Sequence, residues 1–250
     1  MRLARPEAML SLNKGHSSET GRGRDRRSGK MRKYFELGGV VAAAILIGFG
    51  IAAIVMGVNG RNTVNSSLKL EQIVGSPDMT PTAIKAEAKK SGLNLSQISF
   101  PTLAVAGKQI NTGDRARAFA GYMRVHTLEA TGGLTYAQMG RYLAKPGTAA
   151  KFTDGHGGTN DTTYAVTDPT TKQPVDNGAR NIWVTETALT TALNTSYMAS
   201  QLALFGIVVG VALLLAGFGF GILAIGGALR SSESAAKVAG ERFHKTAPAA

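Results

Sequence analysis

Residues 202–229, LALFGIVVGVALLLAGFGFGILAIGGAL, run for twenty-eight positions without a charge. A helix needs about 20 apolar residues to cross the hydrocarbon core of a bilayer, so this stretch is long enough to span it with tilt. A soluble core helix of that length would keep a polar face, and none is present. A second uncharged run of twenty-two residues occupies 37–58. These runs imply the fold class of a membrane protein, mainly α. Two transmembrane helices flank an α-rich extracytoplasmic domain, and the second span continues a long helical stalk. The chain then divides into a basic disordered cytoplasmic head (1–36), transmembrane helix 1 (37–58), the domain (59–201), transmembrane helix 2 (202–229) and a cytoplasmic tail (230–250).

The formal net charge of +12 invites a nucleic-acid reading, but its distribution points to a membrane. The head holds ten Lys/Arg against four acids, the middle fourteen against ten, and the tail four against two. Basic residues gather on the cytoplasmic side of spans. Arg32 and Lys33 precede the first span and Arg230 follows the second, whereas 181–201 has no Lys or Arg. Both termini are therefore expected in the cytoplasm of an inner membrane, with 59–201 outside and no nucleic-acid partner. Cysteine is absent, which rules out disulfides, thiolate nucleophiles and Cys-based zinc sites.

Along the chain, 1–30 reads as unstructured around GRGRDRR (21–27), a topogenic tail rather than a patch for lipid or RNA; a start at Met31 is an alternative. The first run is too long for a signal-peptide core of ~7–15 residues and reads as an uncleaved anchor. Small residues recur at Ala44, Gly48 and Ala52, and again at Gly206, Gly210, Gly217, Gly221, Ala224 and Ala228. Such stripes let helices pack closely, within the chain or across a homo-oligomer. Residues 63–74 either continue the first helix or fold back as a strand. Thr80 and Pro81 open a helix that Gly92 stops, and Asp114 opens another that Gly132 and Gly133 close. Phe119, Tyr122, Met123 and His126 share one face of the latter. A small hairpin is expected within 93–113 and a short helix over 135–144. The Gly-, Thr-, Asp- and Pro-rich 145–178 reads as a long exposed loop, a place for disorder or a partner. Asn177 then caps a helix from Ala179 that nothing breaks before the second span.

Neither span contains an ionisable residue, which argues against a pump or coupled transporter. His126 and Glu129 stand at i, i+3, and with His156 they form a conceivable two-His-one-carboxylate iron set. Yet His126 extends an apolar face and His156 lies in a Gly-rich loop. No residue is accordingly assigned as catalytic, cofactor-binding or metal-ligating, and no cofactor is expected. The chain shows neither a G-x-S-x-G nor a P-loop.

The phrases MRKYFELGG, IVMGVNGRNTV, EQIVGSPDMTP, EATGGLTYAQM and NIWVTETALTTALNTSYMASQ resemble a family of two-pass actinobacterial membrane proteins of unknown function. The likeness covers roughly 31–230. That family commonly carries the label of aromatic ring-opening dioxygenase, and the likeness also implies a cysteine pair near Leu103 and Ala118 that this chain lacks. The leading expectation is a non-enzymatic two-pass protein. Its partners would be the lipid bilayer, an unidentified envelope protein or component, and a second copy of the chain through the Gly/Ala faces. The alternatives are a membrane-tethered iron-dependent dioxygenase, using His126, Glu129 and His156, and an oligomeric channel, against which the lack of polar pore-lining residues argues.

Overall fold

A computed structural model describes residues 19–226, with side chains placed from Tyr34 onward. The chain is mainly helical: α1 (Glu19–Leu70), α2 (Pro81–Lys90), α3 (Gly113–Ala130), β1 (Tyr142–Leu143), β2 (Gly158–Thr159) and α4 (Gly178–Ile225). It separates into two compact units. One is the chain up to Ala52 with that from Val209 onward, and the other is Ala53–Val208. Two helices, over Tyr34–Leu70 and Gly178–Ile225, are long and apolar enough to cross a membrane. Only 11% and 17% of their most apolar windows is buried, whereas a soluble core helix would be mostly covered. Two apolar helices thus flank a middle domain.

The disorder expected across the head, 1–36, is corrected for 19–36, where the backbone is helical. Extending an existing helix adds one hydrogen bond per residue with no new nucleus, and arginine is a good helix former. Residues 1–18, the tail 230–250 and Ala228 lie outside the described residues. Past the span, α1 continues to Leu70, which settles the open choice over 63–74. The chain then turns at Gln72 (φ 53°) and enters bridge pairing at Val74 and Gly75.

In the first unit the two apolar helices pack on each other through glycine and alanine. A Cβ added at Gly50 would lie 2.8 Å from the Gly210 carbonyl oxygen and 2.9 Å from Leu214 Cγ. Gly217 packs in the same way on Ile47 and on the Ala43 carbonyl. The stripe of Ala44, Gly48 and Ala52 on the first helix does not make this contact: the three are exposed, and Gly48 has nothing within 4 Å of its would-be Cβ. The buried positions are Ala43 and Gly50, seven apart, the period of a left-handed helix pair. On the second helix Gly210, Gly217 and Ala224 are buried, as their spacing indicates.

The second unit is a small helical domain. Thr80 caps α2 by accepting the Ala83 N–H at 3.2 Å, and Gly92 ends it at φ +73°. Thr112 caps α3, and the Gly133 N–H closes it on the Leu128 carbonyl. The core gathers Ile84 and Ala88 from α2, Val105 and Ile110 from the connecting segment, and Phe119, Tyr122 and Val125 from α3. Leu68 of α1 and Leu193 of α4 complete it. Each full burial of a large side chain contributes ~1.5–3 kcal/mol.

Three expectations are corrected here. The hairpin within 93–113 does not form. Its 106–110 stretch pairs instead with 73–75, where Gly75 N–H donates to the Lys108 carbonyl and Ile110 N–H to that of Ile73. The helix over 135–144 is a single turn followed by β1. Thr135 spends its amide and hydroxyl on Gln138 Oε1, and the Leu143 and Ala144 amides bond to the Val175 and Gly157 carbonyls. The segment 145–178 is not one long exposed loop. β2 pairs antiparallel with β1, bridges join Ala144 to Ala165 and Thr167 to Pro174, and Thr159 and Ala165 are buried. Asn177 starts α4 as expected. Its Oδ1 accepts the Ala179 N–H while its amide donates to the Gly140 carbonyl.

Candidate functional site

A cleft of the domain lies between α3, α4 and the Ser99–Leu103 segment, with a volume of about 910 Å³. Close packing defines its walls. Pro101 rests on Gly121, where a Cβ would lie 3.3 Å away, and Gly113 meets Ser200 with a would-be Cβ distance of 2.6 Å. Glycine at both positions lets the loop and α4 approach the α3 backbone. The volume falls within the range of small-molecule sites.

Two arginines on α3 face aromatic rings of α4 across this cleft. Arg117 sits 4.7 Å over Tyr197 and Arg124 sits 4.1 Å over Trp183. Arg124 also donates to Glu186 Oε2 at 2.8 Å. The Glu186 side chain is 2% exposed and that of Arg124 47%. Among the described residues, the other carboxylate oxygen of Glu186 is buried without a hydrogen-bond partner. Burying an acceptor unpaired costs ~1–3 kcal/mol, so a donor brought to this oxygen would be stabilising. Asp114, Thr187, Thr190 and Asn194 add polar groups to the lining. The arrangement suits a polar ligand that brings hydrogen-bond donors and something for the guanidinium groups to hold. Sequence reading placed Trp183 and Tyr197 on one helix but did not identify Arg117, Arg124 or Glu186. The one available signal is Glu186 itself, the sole charge of α4 after Arg180.

The imagined iron set is distributed differently. His126 and Glu129 do meet, Nδ1 to Oε2, at 3.3 Å. His126 Nε2 faces Asp78 Oδ2 at 2.9 Å, and Asp78, Glu87 and His126 form a group whose ligand atoms lie within 4.8 Å of one another. His156 is not a member of that group. Its ring packs on Gly132, whose φ of +62° leaves the space free of a side chain, while its amide donates to Asp154 Oδ1. Burial pushes the Glu129 carboxyl above its ordinary range, and the charges of Glu87 and Asp78 push it further, outweighing the His126 contact. Asp78 is held low chiefly by a hydrogen bond from the Ser76 side chain, against desolvation.

Comparison with protein-family models, curated proteins and solved structures finds no match. Any functional reading therefore rests on the residues of this chain alone.

Proposed function

We propose that this chain is a non-enzymatic two-pass inner-membrane protein whose extracytoplasmic domain binds a polar envelope component or protein in the cleft between α3 and α4. The observation that carries this reading is the buried carboxylate of Glu186 beside two arginines that sit over aromatic rings. Hydrogen bonds made to charged groups are worth ~1.5–3 kcal/mol each, enough for a small number of contacts to confer selectivity. The orientation, termini inside and 59–201 outside, is supported by Arg32 and Lys33 before the first span against the absence of Lys and Arg in 181–201. The resemblance of its phrases to a two-pass actinobacterial family accords with the same architecture.

Single cysteines at Ser17, Thr159 and Ser234, labelled with an impermeant maleimide on intact cells, test the orientation. Labelling at Thr159 alone is expected. Labelling at Ser17 and Ser234 without Thr159 would place the domain in the cytoplasm and overturn the reading. A photocrosslinker at Thr190 tests the cleft. A partner captured there and lost in Arg117→Glu supports it. Capture unaffected by that change, with equal yield from a crosslinker at Lys172, overturns it.

A further inference from the structure

Asp78, Glu87 and His126 come from three separate places: the turn before α2, the body of α2, and the fourth turn of α3. Sequence separation gives no hint of their meeting, yet one oxygen or nitrogen from each falls within 4.8 Å of the others. The imidazole is oriented from both sides. Glu129 Oε2 takes Nδ1, and Nε2 is aimed at Asp78. A carboxylate behind one ring nitrogen, with the other nitrogen turned toward oxygen donors, is how proteins set a histidine to bind metal. A second observation points the same way. The Glu129 side chain is only 13% exposed, and among the described residues its Oε1 is buried with no hydrogen-bond partner. Three carboxylates therefore converge on one imidazole.

We propose that Asp78, Glu87 and His126 bind a first-row divalent cation such as Zn²⁺ or Mn²⁺, with Glu129 as the carboxylate that orients the imidazole. One nitrogen and two or more oxygens is a mixed donor set; imidazole favours such cations over Mg²⁺ and Ca²⁺, which prefer oxygen alone. With bonds of ~2.0–2.2 Å, two donors on one cation lie ~3–3.6 Å apart. The more distant donors must draw in by up to about 1.5 Å while His126 Nε2 and Asp78 Oδ2, now 2.9 Å apart, part slightly, within reach of side-chain rotation. The cation clasps the 76–80 turn, α2 and α3 to one another, and so stabilises the folded domain increasingly as its concentration rises. The site is separate from the Arg124–Glu186 cleft, and neither reading depends on the other.

The test uses the full chain in detergent micelles, stripped with chelator and titrated with ZnCl₂ or MnCl₂. Calorimetry and thermal unfolding are read together. One saturable equivalent is expected, with a thermal midpoint that rises with cation concentration. Glu87→Gln and His126→Asn should each weaken binding at least tenfold, whereas His156→Ala should leave it unchanged. Among the described residues the Glu87 side chain has no hydrogen-bond partner, so its variant keeps the fold should His126→Asn not; circular dichroism checks both. No heat and no midpoint shift at millimolar Zn²⁺ and Mn²⁺ would overturn the proposal. Binding that survives Glu87→Gln in the folded variant would mark the cation as adventitious and overturn it equally. Tight Ca²⁺ or Mg²⁺ binding without Zn²⁺ or Mn²⁺ would reject the proposed class.

Discussion

Asp154 shows how much one side chain can organise. Its Oδ1 accepts the amides of His156 and Gly158 and its Oδ2 that of Gly140, all at 2.8 Å. Burial raises its carboxyl, but the three amide donors outweigh that and hold it below the ordinary 3.8. The folded pKa is depressed, so the stabilisation is complete above the unfolded value and is lost as pH falls through the folded one. Asp154→Ala is expected to cost ~2–4 kcal/mol at neutral pH, by leaving three amides short of an acceptor. The gap between variant and wild type should close below about pH 4, a trend that thermal unfolding across an acid series measures. At the cleft, Arg124→Ala leaves Glu186 buried with neither oxygen paired to a cation. An expected loss of ~2–3 kcal/mol, smaller in the Glu186→Gln background, is measurable as a double-mutant cycle.

At the scale of elements, capping and stopping residues are local chemistry, and they were readable. Thr80, Gly92, Gly133 and Asn177 all act where the sequence indicates. Strand partners were not readable, because 106–110 finds 73–75, and 142–144 finds 157–159, 165 and 175–176, across gaps no periodicity records. The face of a membrane helix that meets its neighbour is likewise a tertiary choice between two small-residue stripes one position apart. It gives a paired prediction. Gly50→Leu should cost ~1–3 kcal/mol by overpacking against Gly210 and Leu214, while Gly48→Leu stays within ~0.5 kcal/mol. Thermal stability in micelles distinguishes them. Amide exchange makes a further check on 142–176. The Leu143, Val166 and Val175 amides each bond to another segment of that region and should exchange slowly, which an exposed loop would not allow.

Taken as a whole, the domain borrows part of its core from the helices that lead to the membrane. Leu68 from α1 and Leu193 from α4 are buried in it, with Val64 and Leu189 packed alongside. At ~1.5–3 kcal/mol for each full burial, Leu68 and Leu193 alone contribute about 3–6 kcal/mol, a large share of the ~5–15 kcal/mol net stability of an ordinary domain. A fragment of residues 60–200 is therefore expected to unfold cooperatively, and one of 72–177 to show no cooperative transition by calorimetry. Sequence alone determined the two apolar runs, their lengths, helices α2 and α3 between them and the absence of thiol chemistry. Those properties depend on composition and on spacings of three or four residues. Only the tertiary structure decided which glycines face a partner helix, that 145–178 folds back on β1, and that Asp78, Glu87 and His126 or Arg124 and Glu186 come together. Arg124 and Glu186, for example, stand 62 positions apart. Such proximity arises from how whole elements pack, and nothing in the intervening chain encodes it.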